Sequence, residues 1–173
     1  MELSPVTTRF ILHWGEMGSR WGVNRTVAQI HALLYLADRP LHAEEISETL
    51  VLARSNVSTA VKELQSWGLV RLTHVLGDRR DHFEALQDIW AIFSVVAQER
   101  KKRELDPTMT VLRDFLLADE ANVPSAAAQV KKIRAVLEFL ETLDQWNEEM
   151  KKLDPASLGK LMRMGAKVQR LLG

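Results

Sequence analysis

The stretch AEEISETLVLARSNVSTAVKELQSWGLV, residues 43–70, and its continuation RLTHVLGDRRDHFEA, residues 71–85, decide how this chain folds. Ile46 and Leu50 fall on one helical face, and Val57, Val61 and Leu64 on another after a break at Val51 to Ala53, so two short helices meet at a tight connection. The second helix carries Arg54, Ser55, Asn56, Ser58, Thr59 and Lys62 on its other side. Small hydrogen-bonding groups and cations near a helix N-terminus are the chemistry of a recognition helix, whose first turns reach base edges in a major groove. Gly68 reads as the C′ residue that ends it. The next segment alternates, with Val70, Leu72 and His74 on one side and Arg71, Thr73 and Val75 on the other, which predicts a strand. Gly77 to Asp81 then gives a turn, and His82 to Ala85 returns as the partner strand. Helix, turn, helix and a hairpin tipped with arginines make a winged helix-turn-helix.

At this point the residues resemble a known family. LARSNVSTAVKELQSWGLV followed by GDRRDHFEA is similar to the MarR class of transcriptional regulators, and most nearly to its GbsR-type branch. The earlier string HWGEMGSRWGVNRTVAQIHALLYLADRPLHAEEI resembles that branch too, so the likeness covers residues 10–86. It implies that Ser55, Asn56, Ser58, Thr59 and Lys62 contact bases and phosphates, and that Arg79 and Arg80 sit at a wing tip against the minor groove. His42 departs from the pattern, because it stands at a helix N-cap where Thr or Ser is usual and is the better acceptor.

The 173 residues suffice for a DNA-binding domain plus an oligomerisation arm. Cations and anions balance at 23 each, so net charge alone does not indicate a nucleic-acid binder. Locally the balance differs: Arg54 to His82 holds five Lys or Arg against three acids, whereas residues 43–52 hold three acids and no cation. A modestly basic reading face on a neutral molecule predicts weak non-specific binding, so useful affinity needs two recognition helices acting together. The absence of cysteine excludes disulfides and thiolate chemistry. No apolar run approaches the ~20 residues that span a bilayer, and MELSPVTTRF lacks a signal pattern, which predicts a cytoplasmic protein without membrane contact.

Outward from the centre, Ser4-Pro5 reads as a cap and first helical position for an amphipathic helix with Phe10, Ile11, Trp14, Met17 and Trp21, ending at Gly22. Asn24 caps a second helix whose Val27, Ile30, Leu33, Leu34 and Leu36 place it in the core, and Asp38-Arg39-Pro40 ends it. Beyond the wing, Asp88 caps a helix through Ile89, Ile92, Phe93 and Val96. Its charged end, Gln98 to Glu104, fits a solvated helix terminus whose cations complement the dipole better than it fits a phosphate-binding patch. Asp106-Pro107 predicts a break and restart into Met109, Val111, Leu112, Phe115 and Leu116. The longest helix is expected from about Pro124 to Leu153, ~45 Å at ~1.5 Å per residue, with a stripe of Val130, Ile133, Val136, Leu137, Leu140, Leu143 and Trp146. Asp154-Pro155 opens a last helix carrying Leu158, Leu161, Met162, Val168, Leu171 and Leu172. Two long stripes with no domain to cover them are most simply buried against a second copy of the chain.

Catalytic residues are not in evidence. The five histidines form no metal-ligand spacing, no nucleophile elbow surrounds Ser55 or Ser58, and the eight glycines make no phosphate loop. No catalytic site, metal or cofactor is expected, and Glu44, Glu45 and Glu48 read as solvent-facing charges. Aromatic residues are weighed separately, because ring faces can cage a quaternary ammonium. Trp14 and Trp21 lie on the first helix, Trp90 and Phe93 on the helix after the wing, and the four are either an effector pocket or plain packing. The resemblance to the GbsR-type branch allows a choline-like effector. Trp67 reads as a buried anchor between recognition helix and wing.

The expected architecture is mainly α with a small β-hairpin wing, a winged helix-turn-helix plus helical dimerisation arms. Residues 1–23 form an N-terminal helix for dimerisation and effector contact, 24–87 the DNA-binding domain, and 88–173 a C-terminal helical dimerisation region. The expected function is a homodimeric transcriptional regulator acting as a repressor on a pseudo-palindromic operator in double-stranded DNA, with a small-molecule effector controlling the distance between reading heads. The rival is a winged-helix module that binds protein rather than DNA, because fold alone does not fix function.

Overall fold

The computed structural model describes residues 3–118 and 123–164. Its packing divides the chain into two units, 1–96 and 97–173.

The first unit is built around helix α2 (Arg25–Leu36), which follows α1 (Pro5–Arg20). Both begin as their sequences dictate: Ser4 accepts the amide of Thr7 at 3.1 Å, and Asn24 accepts that of Thr26 at 2.8 Å. α2 buries Val27, Ile30, Leu33 and Leu34 together, and each such side chain stabilises by roughly 1.5–3 kcal/mol when fully removed from water. α1 packs closely against it, since a Cβ at Gly18 would stand 2.6 Å from the Cβ of Ala28. Strand β1 (Leu41–His42) leads into α3 (Ala43–Leu50), and α4 (Arg54–Ser66) follows. Val51 in the connection adopts φ 53° and ψ 50° and is 89% exposed. Gly68 takes φ 76° beyond α4, where its amide reaches Gln65 O and that of Leu69 reaches Leu64 O, both at 3.0 Å, so the last carbonyls of the helix are satisfied.

Strands β2 (Val70–Thr73) and β3 (His82–Ala85) form the hairpin. The sheet has three strands in the order β1-β3-β2, all antiparallel, with Leu41 and Leu72 opposite Phe83 and His42 opposite His82. β1 has two residues, too few to produce a period-two signal, and β2 stops before His74 and Val75, which belong to the wing loop.

α5 (Ile89–Arg100) begins at Asp88, whose carboxylate accepts the amide of Trp90 at 2.8 Å, and the division between the units falls within this helix. The expected break at Asp106-Pro107 is absent. A π-turn, Lys101–Leu105, runs directly into α6 (Asp106–Leu117), and Asp106 bonds to Lys101 O rather than one residue nearer. The extra residue in that turn accommodates a proline that has no N–H and whose ring crowds the carbonyl four residues back.

In the second unit a short 3₁₀ turn (Pro124–Ala126) precedes α7 (Ala127–Lys151), and α8 (Pro155–Met164) follows, capped by Asp154. α7 is shorter than expected, at ~38 Å for 25 residues. Lys101 ties the π-turn to Asp106 at 2.8 Å and to Asp144 of α7 at 3.1 Å, and Arg113 joins Glu141 at 2.7 Å. Arg100 pairs with Glu104 at 3.1 Å, so these cations serve the helix terminus itself. Val168, Leu171 and Leu172 lie outside the described residues. No described helix is long and apolar enough to cross a membrane.

Candidate nucleic-acid interface

α4 buries Val57, Ala60, Val61 and Leu64, which leaves its opposite side to solvent. Arg54, Ser55, Asn56, Ser58, Thr59 and Lys62 occupy that side, and all six are exposed. Among the described residues none of them has a side-chain hydrogen bond or ion pair. Ala53 at the N-cap supplies no side-chain acceptor, so the first amides of α4 lack a cap. An open concavity of about 390 Å³ lies between α4, the start of α3 and the wing. It brings together Arg54, Ser58, Lys62 and Arg80, while Ser55, Asn56, Thr59 and Arg79 lie off its wall.

The wing separates its two arginines. Asp78 accepts the backbone amide of Arg80 at 3.0 Å and its Nε–H at 2.9 Å, closing a local turn. Those bonds, the guanidinium's first, hold the Asp78 carboxyl well below the usual carboxylate range. Arg80 also stands 3.9 Å from Glu44 at the start of α3. Arg79 is exposed and has no partner among the described residues. Arg71 is likewise engaged, with Glu84 directly across the ladder at 2.7 Å. Of the five Arg or Lys side chains from Arg54 to His82, Arg54, Lys62 and Arg79 therefore have no ion-pair partner among the described residues.

His42 does cap α3. Its Nδ1 accepts the amide of Glu45 at 3.3 Å, and the Glu45 carboxylate accepts the amide of His42 at 3.3 Å, a reciprocal capping box with long bonds. Glu45 is not a free surface charge, because Arg39 donates two hydrogen bonds to it. The Arg39 guanidinium lowers the Glu45 carboxyl to about 2. His42 meets His82 edge to face across the sheet, with ring centroids 5.4 Å apart.

A second cavity, about 60 Å³, opens among α1, α2, the end of α4 and α5. Trp14 and Trp21 line it, as do Trp67, Ile92 and Val96, but Trp90 and Phe93 do not. Trp67 is half-buried, lines this cavity and packs against the core. His31 also lines it, 5% exposed, and its Nε2 has no hydrogen-bond partner among the described residues. Burial lowers the His31 imidazole to about 4. Histidine spacing alone does not single out His31; its place as a polar residue inside the apolar run of α2 is the signal in the sequence. No group of three or more metal-ligating side chains occurs among the described residues.

Residues 21–81 match the model of the MarR family. The HTH-type transcriptional repressor GbsR of Bacillus subtilis (strain 168) is 27% identical over 94 residues, which cover 54% of this chain and 52% of that protein. The chain therefore spans about half the length of that relative. The putative HTH-type transcriptional regulator YvaV of the same organism is 24% identical over 158 residues, covering 85% of this chain and 88% of the relative. A crystal structure of a transcriptional regulator superposes with a TM-score of 0.61 at 18% identity, over 86% of this chain and 100% of that one, which bears on the fold alone. The family match covers α2, α3, α4 and the start of the wing, which carry the exposed polar face, and across the longer alignments the chain is similar at low identity to GbsR-like winged-helix regulators.

Proposed function

We propose that this protein is a DNA-binding transcriptional regulator that works in the cytoplasm as a homodimer, represses from a pseudo-palindromic operator and responds to a small molecule. The observation that carries the reading is the outer face of α4, where six polar or cationic side chains have no partner among the described residues. In this reading Asn56 pairs with adenine, and Arg54 and Lys62 with guanine or phosphate. Ser55, Ser58, Thr59 and the uncapped amides of α4 grip the backbone. Arg79 enters the flanking minor groove.

The homodimer is supported by α7. Val136, Phe139, Leu143 and Trp146 recur at intervals of three and four and are 49%, 61%, 40% and 60% exposed. That is the spacing of a coiled-coil seam. Antiparallel alignment sets Phe139 against Met150 and Leu143 against Trp146, so these find apolar partners in a second copy. The small-molecule response is supported by the tryptophan-lined cavity at the end of the recognition helix.

Selection from random duplexes followed by titration at several salt concentrations tests the reading. A recovered two-fold motif, bound less tightly as salt rises, is the expected result. Asn56→Ala should then relax preference at one position per half-site, by roughly 1–3 kcal/mol for a lost bidentate pair. If no duplex shows a salt-dependent shift, the winged fold serves protein binding instead.

A further inference from the structure

The cavity at the end of α4 carries more chemistry than its aromatic lining suggests. Its walls hold Trp14, Trp21 and Trp67 together with aliphatic side chains, and no lining residue bears a formal charge at neutral pH. A carboxylate entering there would surrender its hydration without meeting an opposite charge, and a cation would meet ring faces but no carboxylate. Besides the indole N–H groups, His31 brings an imidazole to this lining. Its side chain is only 5% exposed, and Nε2, closed off from solvent, has no hydrogen-bond partner among the described residues. Buried polar groups are nearly always hydrogen-bonded, so an orphaned ring nitrogen on a largely apolar cavity is the mark of a missing partner. Burial also keeps the ring uncharged at neutral pH, so it attracts no anion.

We propose that this cavity binds a small uncharged alcohol, with a cyclic or branched alkyl body against the tryptophans and its hydroxyl on His31 Nε2. A hydroxyl both donates and accepts, and therefore suits whichever imidazole tautomer is present. The volume of about 60 Å³ accepts only a few atoms without adjustment. The half-exposed Trp21 at 47% and the pliable Met17 let the walls move around a larger body. The proposal rests on reading this cavity as the effector site and assigns its ligand class, which differs from a quaternary ammonium.

Cyclohexanol and choline, which have the same number of heavy atoms, separate the two chemistries when titrated against the full-length protein by tryptophan fluorescence and amide chemical shifts. Cyclohexanol should bind saturably to the wild type, at least tenfold more tightly than choline. His31→Leu should weaken cyclohexanol at least tenfold, and His31→Gln, which retains a hydrogen-bonding group, should restore part of that loss. Thermal melts check that both variants are folded. Preference for choline, equal binding by His31→Leu, or no saturable binding would each overturn the proposal. Operator affinity measured with and without cyclohexanol is a separate readout: binding without any change there sustains the ligand assignment and sinks the effector reading.

Discussion

A buried, neutral histidine has a signature in stability. His31 has a folded value of about 4 against 6.5 for an ordinary imidazole, because burial disfavours its charged form. Above pH 6.5 both folded and unfolded chains hold the neutral ring, and this residue leaves stability flat. As pH falls from 6.5 toward 4 the unfolded chain takes up a proton that the folded chain refuses, so stability declines, by about 3 kcal/mol in all. Below 4 both states are protonated and the loss ends. Denaturant titrations across pH 7.5 to 3.5 should show a decline in the wild type that exceeds the decline in His31→Leu by this amount. A parallel pair of curves would mean that the ring is already hydrated or paired. Glu45, lowered to about 2 from 4.5 chiefly by hydrogen bonds from Arg39, loses its contribution below pH 4.5 in both variants, so it cancels in the comparison. Val51 makes a different residue-scale prediction. A β-branched side chain at φ 53° is strained, and it is 89% exposed, so its removal forfeits little packing. Val51→Gly should stabilise the protein by about 0.5–1 kcal/mol, the relief being partly offset by added freedom in the unfolded chain, and chemical denaturation reads it directly.

At the scale of elements, the wing shows where sequence is an incomplete guide. Arg79 and Arg80 are adjacent and chemically identical, and the sequence gives them the same standing at the hairpin tip. The fold divides them, because the turn begun at Asp78 carries the Arg80 amide and guanidinium back onto one carboxylate while Arg79 is left exposed. Arg79→Ala should flatten the slope of log K against log salt by roughly 0.9, one phosphate's worth of counterion release. Arg80→Ala should change that slope much less and should lower the melting temperature instead, since it loosens the wing and its approach to Glu44. Equal slope changes in the two variants would show that Asp78 releases Arg80 when DNA binds. The recognition helix was more legible. Its buried positions, Val57, Ala60, Val61 and Leu64, follow the helical period, and that period alone assigns the remaining side chains to the outside. The two-residue β1, the π-turn at Lys101 and the pairing of Trp67 with Trp14 and Trp21 around one cavity were not legible. Each depends on contacts between segments distant in sequence, or on how a helix absorbs Pro107.

For the whole molecule the question is which face of α7 is available to a second copy. The sequence offers one broad stripe from Val130 to Trp146, yet within the second unit that stripe is two faces. Leu137 is 7% exposed and Val130, Ile133 and Leu140 are half-buried, so this side serves the unit's own packing. Val136, Phe139, Leu143 and Trp146 lie on the other side and stay open. The two faces make opposite predictions for the same chemical change. Leu137→Glu buries a carboxylate without a partner and should unfold the second unit, seen as lost helicity. Phe139→Glu with Trp146→Glu places charges in the proposed seam, and should keep the helical signal while light scattering falls from twice the 19.7 kDa chain mass to that mass. An operator with two half-sites is then met by one recognition helix at a time, and the effective concentration of the second is lost, so affinity should fall by roughly a hundred- to ten-thousand-fold. A double variant that remains dimeric would move the interface to other exposed apolar residues, such as Val111 and Phe115 of α6. One that becomes monomeric yet binds its operator unchanged would show that each reading head acts alone, contrary to the weak affinity expected of so modestly charged a surface.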